Sequence, residues 1–569
     1  MKFILFLSLL LIHLIVINAF SQSAYVPYNK DYYQLLDRYE IRSGSMSKYF
    51  HSSFRPYQRM DVAAFTQDMM KDTTVNYSSR DRFNFQYLSN DNWEFIDTTL
   101  AESKKTFLKH FYKKQNAIFH HHSKEFDVQV MPVLYLTGGK EIVNNRVNPD
   151  YMTLNTRGIE VRGMIGKKIG FYTFMSDNQA LFPTYVMNRI DSTQGVPGEN
   201  FYKVFPGAPS KLYKYLFKGN GVDFFSARGY VTFDVVKKLV NVQFGHDKNY
   251  IGNGYRSLFL SDNSSPYLFG KITTKVWKIN YTLLFAQLTG NTSTQGGLLF
   301  QKKYMALHHL STNIGRHLNV GLFESIMYSN DVELNYFNPI IFYKALENQV
   351  GSKDKAIVGL DVKVNFARHF STYGQLLINE FVLKEVTGGR GWWGNKQAFQ
   401  IGLKYIDAFG LRNLDLQVET NVVRPYVYSD KDSLTGYTNY NANLAHPLGA
   451  NFYELIGIAR YQPVNRLNLI GKAFYTKQGL NINQLNYGGD PLRSYLSRVS
   501  EYGNRIGQGD LSQTLYLSFT ASYMLKHNFF IDFNQVFRDQ NSKSGAYDLN
   551  TAYTSVSIRW NIQSRLQEF

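Results

Sequence analysis

The chain has 569 residues, a formal net charge of +18 and no cysteine, which excludes a disulfide framework and thiolate metal sites. Its 42 tyrosines and 43 phenylalanines against 14 prolines suit a membrane barrel, whose strands carry aromatic girdles at both interfaces, better than a soluble β-sandwich. The positive charge by itself suggests nucleic acid; the export signal described next argues instead for anionic lipid headgroups or acidic glycans as partners.

Lys2 followed by the apolar run Phe3 to Ile17 and the small-x-small step Ala19-Phe20-Ser21 predicts a cleavable signal peptide over residues 1–21. The apolar run is shorter than a spanning helix needs, and no cysteine follows it to carry a lipid. Residues 25–124 predict a small helical subdomain on the periplasmic side, with helices over Asn29–Arg42, Arg59–Lys71 and Asp91–Phe119. In the third of these, Leu100, Phe107, Leu108, Phe111, Ile118 and Phe119 share a face, and Lys105, Lys109 and Lys113 line another. That lysine face is either a solvated helix face or a binding stripe. His120-His121-His122 resembles a metal tract, but it falls at the expected helix end, where adjacent side chains diverge. No metal or cofactor site is assigned.

From Phe126 to residue 569 the period changes from 3.6 to 2. Leu414, Leu416, Val418 and Val422 alternate with Asp415, Gln417, Glu419 and Asn421, and Val358 to Phe366, Leu515 to Tyr523 and Val556 to Ile562 repeat the pattern. Short turns at Lys167-Lys168, Lys237-Lys238, Trp277-Lys278, Arg316-His317, Arg368-His369, Gly410–Asn413, Pro463–Arg466 and Lys526-His527 alternate with long loops. The loops are expected at about 137–150, 178–221, 246–267, 289–303, 329–355, 384–397, 425–449, 478–510 and 539–551. That asymmetry predicts an all-β transmembrane antiparallel barrel of about 18 strands over residues 125–569, with short turns in the periplasm and long loops outside. The cations in the short turns suit either plain solvation or a basic rim at the inner headgroups. Asp234, Asp361, Asp415 and Glu419 are expected to share the lumen with Arg162, Lys363, Lys404, Lys472 and Arg559.

No nucleophile elbow, phosphate-binding glycine loop or His-Glu-x-x-His pattern is present, and the chain is read as non-enzymatic. The loop from Gly245 to Pro266 carries an aromatic-x-Gly-x-Gly-x-x-Ser-Leu-x-Leu-Ser-x-Asn-x-x-Pro pattern at Tyr250, Gly252, Gly254, Ser257, Leu258, Leu260, Ser261, Asn263 and Pro266. Asn338-Pro339, followed by aromatics to Tyr343, is a second marker. On these residues, with Tyr25–Gly44 and Arg157–Gly163, the chain resembles the Wzi family of capsule assembly outer-membrane proteins. Tyr25–Gly44 and Arg157–Gly163 also look like its Bacteroidetes branch, which includes the gliding-motility protein RemB. Tyr250 stands where a Trp is commoner. The resemblance implies an 18-stranded barrel with a periplasmic helical bundle, a lumen closed by inward-folded loops, and a role in attaching or organising surface polysaccharide. The glycines permit positive φ or close backbone approach, which favours folding the loop inward as a plug over direct ligand contact, and the Asn338–Tyr343 segment is expected to fold inward with it.

Arg390, Trp392, Trp393 and Lys396 lie in an expected outer loop. Indole faces stack on sugar rings and the cations pair with uronates, so these four residues are the candidate polysaccharide site. The alternative is a girdle anchor at the outer interface. The outer-membrane localisation thus leaves three functional readings. The first is a non-enzymatic surface protein assembling capsule or exopolysaccharide. The second is a structural component of a gliding-motility or adhesion complex with other cell-surface or secretion proteins as partners. The third is a passive porin.

Overall fold

The computed structural model describes residues 23–96, 102–103, 112–123, 125–166, 168–199, 201–205, 221–290, 300–329, 332–338, 342–343 and 356–569. The expected signal peptide, Lys105, Lys109 and Pro339 lie outside them.

Eighteen antiparallel strands form a closed barrel, each paired with its sequence neighbour. The last, Leu549–Trp560, closes on the first, Phe126–Val143, with Val143 opposite Thr551 and Leu134 opposite Trp560. The facing read from the alternation holds. Val418, Leu517, Phe537 and Val556 are exposed on the outer wall, while Asp415, Gln417, Glu419 and Asn421 are buried inside. Asp234, Asp361, Arg162, Lys363, Lys404, Lys472 and Arg559 also turn inward. An outer face of branched and aromatic side chains and a polar inner face define a barrel that spans a membrane.

One expected loop is absent. The strands Phe126–Val143 and Arg146–Ile165 run through 137–150 and are joined by Asn144-Asn145 alone, with φ of 47° and 63°. Two consecutive positive φ values are what a two-residue type I′ hairpin requires, and asparagine tolerates them. At roughly 3.3 Å per residue, an 18-residue strand far exceeds the 9–11 residues a tilted strand needs to cross a bilayer, so this hairpin projects beyond the rim.

Helices α1 (Lys30–Ser43), α2 (Arg59–Lys71) and α3 (Ser79–Asp91) form the helical region. Asn29 caps α1 through the backbone N–H groups of Asp31 and Tyr32, Gly44 ends it at φ 73°, and Ser78 with Asp81 makes a capping box on α3. The helix expected over Asp91–Phe119 does not form in its described parts: α3 ends at Asp91, a single 3-10 turn covers Trp93–Phe95, and Phe119–His122 is a strand paired with Asp127–Val130. The histidine tract therefore alternates along a strand. His120 packs edge-on against Trp93, and His122 Nδ1 lies 2.6 Å from Asp127.

Candidate functional site: a doubly plugged lumen and its outer loops

The helical region closes the short-turn end. The Met46 N–H donates to the carbonyl of Arg316 (2.7 Å), Arg80 to Gln462 O (2.9 Å), Arg368 to Thr74 O (3.1 Å) and Tyr87 to Asn528 (2.8 Å), so the helices touch turns all round the rim. A core of Tyr33, Leu36, Tyr39, Phe50, Tyr57, Phe65, Phe85 and Leu88 holds them together. Their polar residues meet the charges of the barrel wall. Asp37 lies 2.6 Å from Lys404 and 3.3 Å from both Lys363 and Arg55. Arg38 pairs with Asp407 at 2.6 Å and also with Asp415. Burial alone would raise the Asp37 carboxyl, but Lys363, Lys404 and Arg55 outweigh it and hold that carboxyl well below its ordinary value.

From the opposite end the loop 248–266 folds inward, and every residue from Tyr250 to Ser261 is buried. Its backbone is held by side chains of the wall. Glu419 accepts from the N–H groups of Tyr255 (2.6 Å) and Arg256 (3.0 Å), and from the Tyr373 hydroxyl (2.8 Å). Gln375 accepts from Leu258 N (2.8 Å) and donates to Ile251 O (3.1 Å). Phe259 stacks flat on Phe323 at 4.4 Å. The glycines have distinct reasons. Gly252 sits at φ +147°, and a Cβ on Gly254 would come within 2.6 Å of Glu419. Tyr250 donates to the carbonyls of Gly254 (3.0 Å) and Arg256 (2.7 Å), Ser257 donates to Ile251 O, and Asn263 donates to Asn443 O (3.0 Å). Pro266 is buried where the loop rejoins the wall at Tyr267.

The two plugs meet in mid-lumen. Tyr28 stacks on Tyr250 with centroids 4.9 Å apart, Phe54-Arg55 pairs as a short strand with Tyr250-Ile251, and the Gly252 N–H donates to Ser53 O (2.7 Å). A third element enters from the short-turn rim. After Trp560, residues 561–569 run back up inside the barrel, where Glu568 contacts Lys472 (2.6 Å), Tyr255 and the loop residue Arg256. Burial raises the Glu568 carboxyl, but Lys472, Lys30 and Arg256 bring it down to about 2.

In its described residues, Asn338, Phe342 and Tyr343, the second marker does not fold inward as expected. On the strands Lys302–Ile314 and Leu318–Ser329, odd-numbered residues such as Lys303, Met305, His309 and Phe323 face the lumen. Ala306, His308, Glu324, Ile326 and Tyr328 therefore face outward, yet all are buried. They are covered by Tyr336, Phe337 and Tyr343, described parts of the loop after Ser329. Tyr343 lies 4.1 Å from the His308 ring, its N–H donates to Glu324 (2.9 Å), and Phe337 stacks on Phe285 at 4.2 Å. Small residues at Ala306 and Ala356 leave the recess these rings fill, and Asn338 ends the 3-10 turn beside it. This loop thus caps a polar spot on the outer wall.

The candidate polysaccharide residues divide. Trp392 and Trp393 are half-buried, 5.7 Å apart, and Trp393 stacks on Tyr495 at 4.7 Å with Arg498 over its ring. Arg390 is exposed, paired with Glu385 at 3.1 Å and placed over Tyr502. Lys396 departs from its expected role. Its ammonium is fully buried, 4.0 Å from the Tyr495 ring, 3.6 Å from Glu380 and near Ser429 O, so it braces the cluster rather than facing a ligand. Sequence reading missed Tyr495, Arg498 and Tyr502, which come from the loop 481–509 and carry no local pattern of their own.

A closed membrane barrel whose lumen is filled from both ends, beneath a crown of long loops, is an occluded outer-membrane-type barrel. No family model matches the sequence, and no curated protein matches it. Among solved structures, the fold is similar to that of Wzi, described as an outer membrane protein involved in group 1 capsule assembly in Escherichia coli and a carbohydrate-binding β-barrel. The two share 12% identity over 95% of this chain and 100% of that one, with a TM-score of 0.56. OprD of Pseudomonas aeruginosa (12% identity, 75% and 94% covered, TM-score 0.40) and OccAB4 of Acinetobacter baumannii (8%, 77% and 97%, 0.37) superpose less well.

Proposed function

We propose that this protein is a non-enzymatic, non-conducting outer-membrane barrel that attaches or organises polysaccharide at the cell surface. Its short turns lie in the periplasm and its loops outside. The observation that carries the reading is the aromatic-cation cluster of Trp392, Trp393, Tyr495, Arg390 and Arg498 on the loop end of a plugged lumen. Indole faces give sequence-tolerant affinity for sugar rings, and the exposed Arg390 guanidinium selects acidic polymers with marked salt dependence. The carbohydrate binding described for Wzi supports the same reading. The plugs speak against a passive porin.

The test is Trp392→Ala with Trp393→Ala in cells lacking the wild-type copy. Cell-bound polysaccharide should fall while heat-modifiable migration of the barrel is unchanged, and added salt should mimic Arg390→Gln. Unchanged retention removes these residues from the site; lost membrane stability assigns the indoles to a girdle instead. A second reading, a structural part of a gliding or adhesion complex, draws on the exposed Phe381, Val382 and Leu383 beside the cluster, which suit a protein neighbour. A deletion strain that keeps its polysaccharide and loses movement favours it.

A further inference from the structure

Two cavities larger than 100 Å³ flank the plugs among the described residues. The lower, about 240 Å³, lies between α1, α3 and the strand Leu467–Leu480, and reaches the short-turn rim at Asn465, Arg466 and Asn528. The upper, about 190 Å³, lies under the outer loops beside residues 562–569. They share Tyr28, Asn29, Asp31, Arg228, Ile562 and Gln563.

Arg228 is distinctive. It points inward from the strand Gly221–Val236, and its guanidinium lies 4.6 Å over the Phe174 ring. Among the described residues it makes no hydrogen bond and no ion pair, and its Nε is buried without a partner. The neighbouring lumenal arginines are engaged: Arg38 with Asp407, Arg59 with Asp91, Arg162 with Glu94, and Arg559 with Asp532. Arg460, on the wall of the same lower cavity, has one contact with the Gln417 amide (3.2 Å) and likewise a buried, unpartnered Nε. Asp247, Glu199 and Glu160 act on Arg228 without reaching it. Four of the seven arginines that line the lower cavity are neutralised by Asp407, Asp91, Glu94 and Asp532, which leaves Arg228, Arg460 and Arg466 as its cations without an ion pair among the described residues, against Asp31 and Glu160. Tyr87, Phe174, Tyr461 and Ile470 supply an apolar wall.

We infer that the lower cavity is a binding site for a uronate-bearing sugar, entered from the short-turn side, with Arg228 pairing the carboxylate from one wall and Arg460 contacting the occupant from the facing wall. A planar guanidinium presents parallel donors that match a carboxylate, and aromatic walls suit the C–H faces of a pyranose. The volume, below the usual range for small-molecule pockets, limits the part of a ligand held inside to one or two sugar residues, the rest of a longer chain extending out at the short-turn rim. This site lies within the lumen, apart from the outer cluster, and its existence does not depend on the role proposed for that cluster.

The experiment is calorimetric titration of the full chain in detergent, in the Trp392→Ala/Trp393→Ala background so that the outer cluster contributes nothing. The probes are trigalacturonate, a neutral galactose trimer and inorganic phosphate. Trigalacturonate should bind, the neutral trimer should not, and phosphate should bind at least tenfold more weakly. Arg228→Gln should weaken trigalacturonate at least tenfold while Arg228→Lys retains part of it. Arg460→Gln provides the same reading should Arg228→Gln fail to show heat-modifiable migration. Undiminished binding in the glutamine variants overturns the site, and equal affinity for phosphate overturns the sugar assignment. Loss of cell-bound polysaccharide is read separately on whole cells, so the outer-loop proposal stands or falls on its own.

Discussion

Glu419 is the residue on which the inward fold of the 248–266 loop depends most. Its carboxylate accepts two backbone N–H groups of the loop and the Tyr373 hydroxyl, with Gln400 and Asn421 also donating to it. Replacing it by alanine leaves the Tyr255 and Arg256 amides without an acceptor in a buried place. At about 1.5–3 kcal/mol for each hydrogen bond to a charged group, losing the two loop bonds alone costs about 3–6 kcal/mol. The Gln375 bonds, the pairing with Phe54-Arg55 and the Phe259–Phe323 stack, which adds about 0.5–1.5 kcal/mol beyond its burial, remain, so the loop should leave the lumen more often without being expelled. The assay is planar-bilayer recording of the purified barrel. The intact protein should pass little current, and Glu419→Ala should show frequent openings, whereas Glu419→Gln, which keeps an acceptor oxygen, should open less often. The residual opening should remain small, because the helical plug still fills the other end. Identical quiet traces from all three proteins, with unchanged thermal unfolding in detergent, refute the assignment of Glu419 as the latch.

Three further outcomes follow from the same geometry. Val418→Arg, on the exposed outer wall, should impair assembly by about 2–4 kcal/mol, whereas Asn468→Arg, facing the lower cavity, should fold; equal heat-modifiable migration of both would put the facing in error. Glu568 has a depressed pKa, so its contribution is complete above its ordinary 4.5 and is lost as pH falls towards about 2; limited proteolysis of residues 561–569 should begin in that window, and Glu568→Gln should be cleaved at pH 7 as well. Tyr343→Ala removes a fully buried ring over the outward-facing Glu324 and should destabilise the barrel by about 3–5 kcal/mol, with part of the loss restored by adding Glu324→Gln; an unchanged melting temperature would show that the ring is not the cover.

The barrel was legible because its determinants are local. Leu414 to Val423 alternate with a period of two whatever the chain does elsewhere, and the sign of each residue's facing follows from the pleat. The turn at Asn144-Asn145 was missed although its chemistry is equally local: the run Gly138-Gly139-Lys140 reads as loop, and pairing with both Arg146–Ile165 and Leu549–Trp560 makes it strand. In its described parts the helix expected over Asp91–Phe119 does not form, for the converse reason. Phe119 and His120 have an open backbone edge at Asp127–Val130, and cross-strand pairing outweighs helical spacing there.

What the sequence leaves dark is which distant segments share the lumen. Asp37 in a helix and Lys363 and Lys404 on the wall each look like ordinary solvated charges when taken alone, and Asp415 looks like a lumenal carboxylate facing water. Together they are the attachment of the plug, since a charge taken from water is tolerated only against a partner in good geometry. The same argument separates the two kinds of cation in the lumen. Those that meet carboxylates hold the structure, and substituting one should loosen the plug whatever ligand is offered. Arg228, which meets none and opens on a cavity, has no such work inside the fold, so its loss should leave the barrel standing and change only what the cavity can bind.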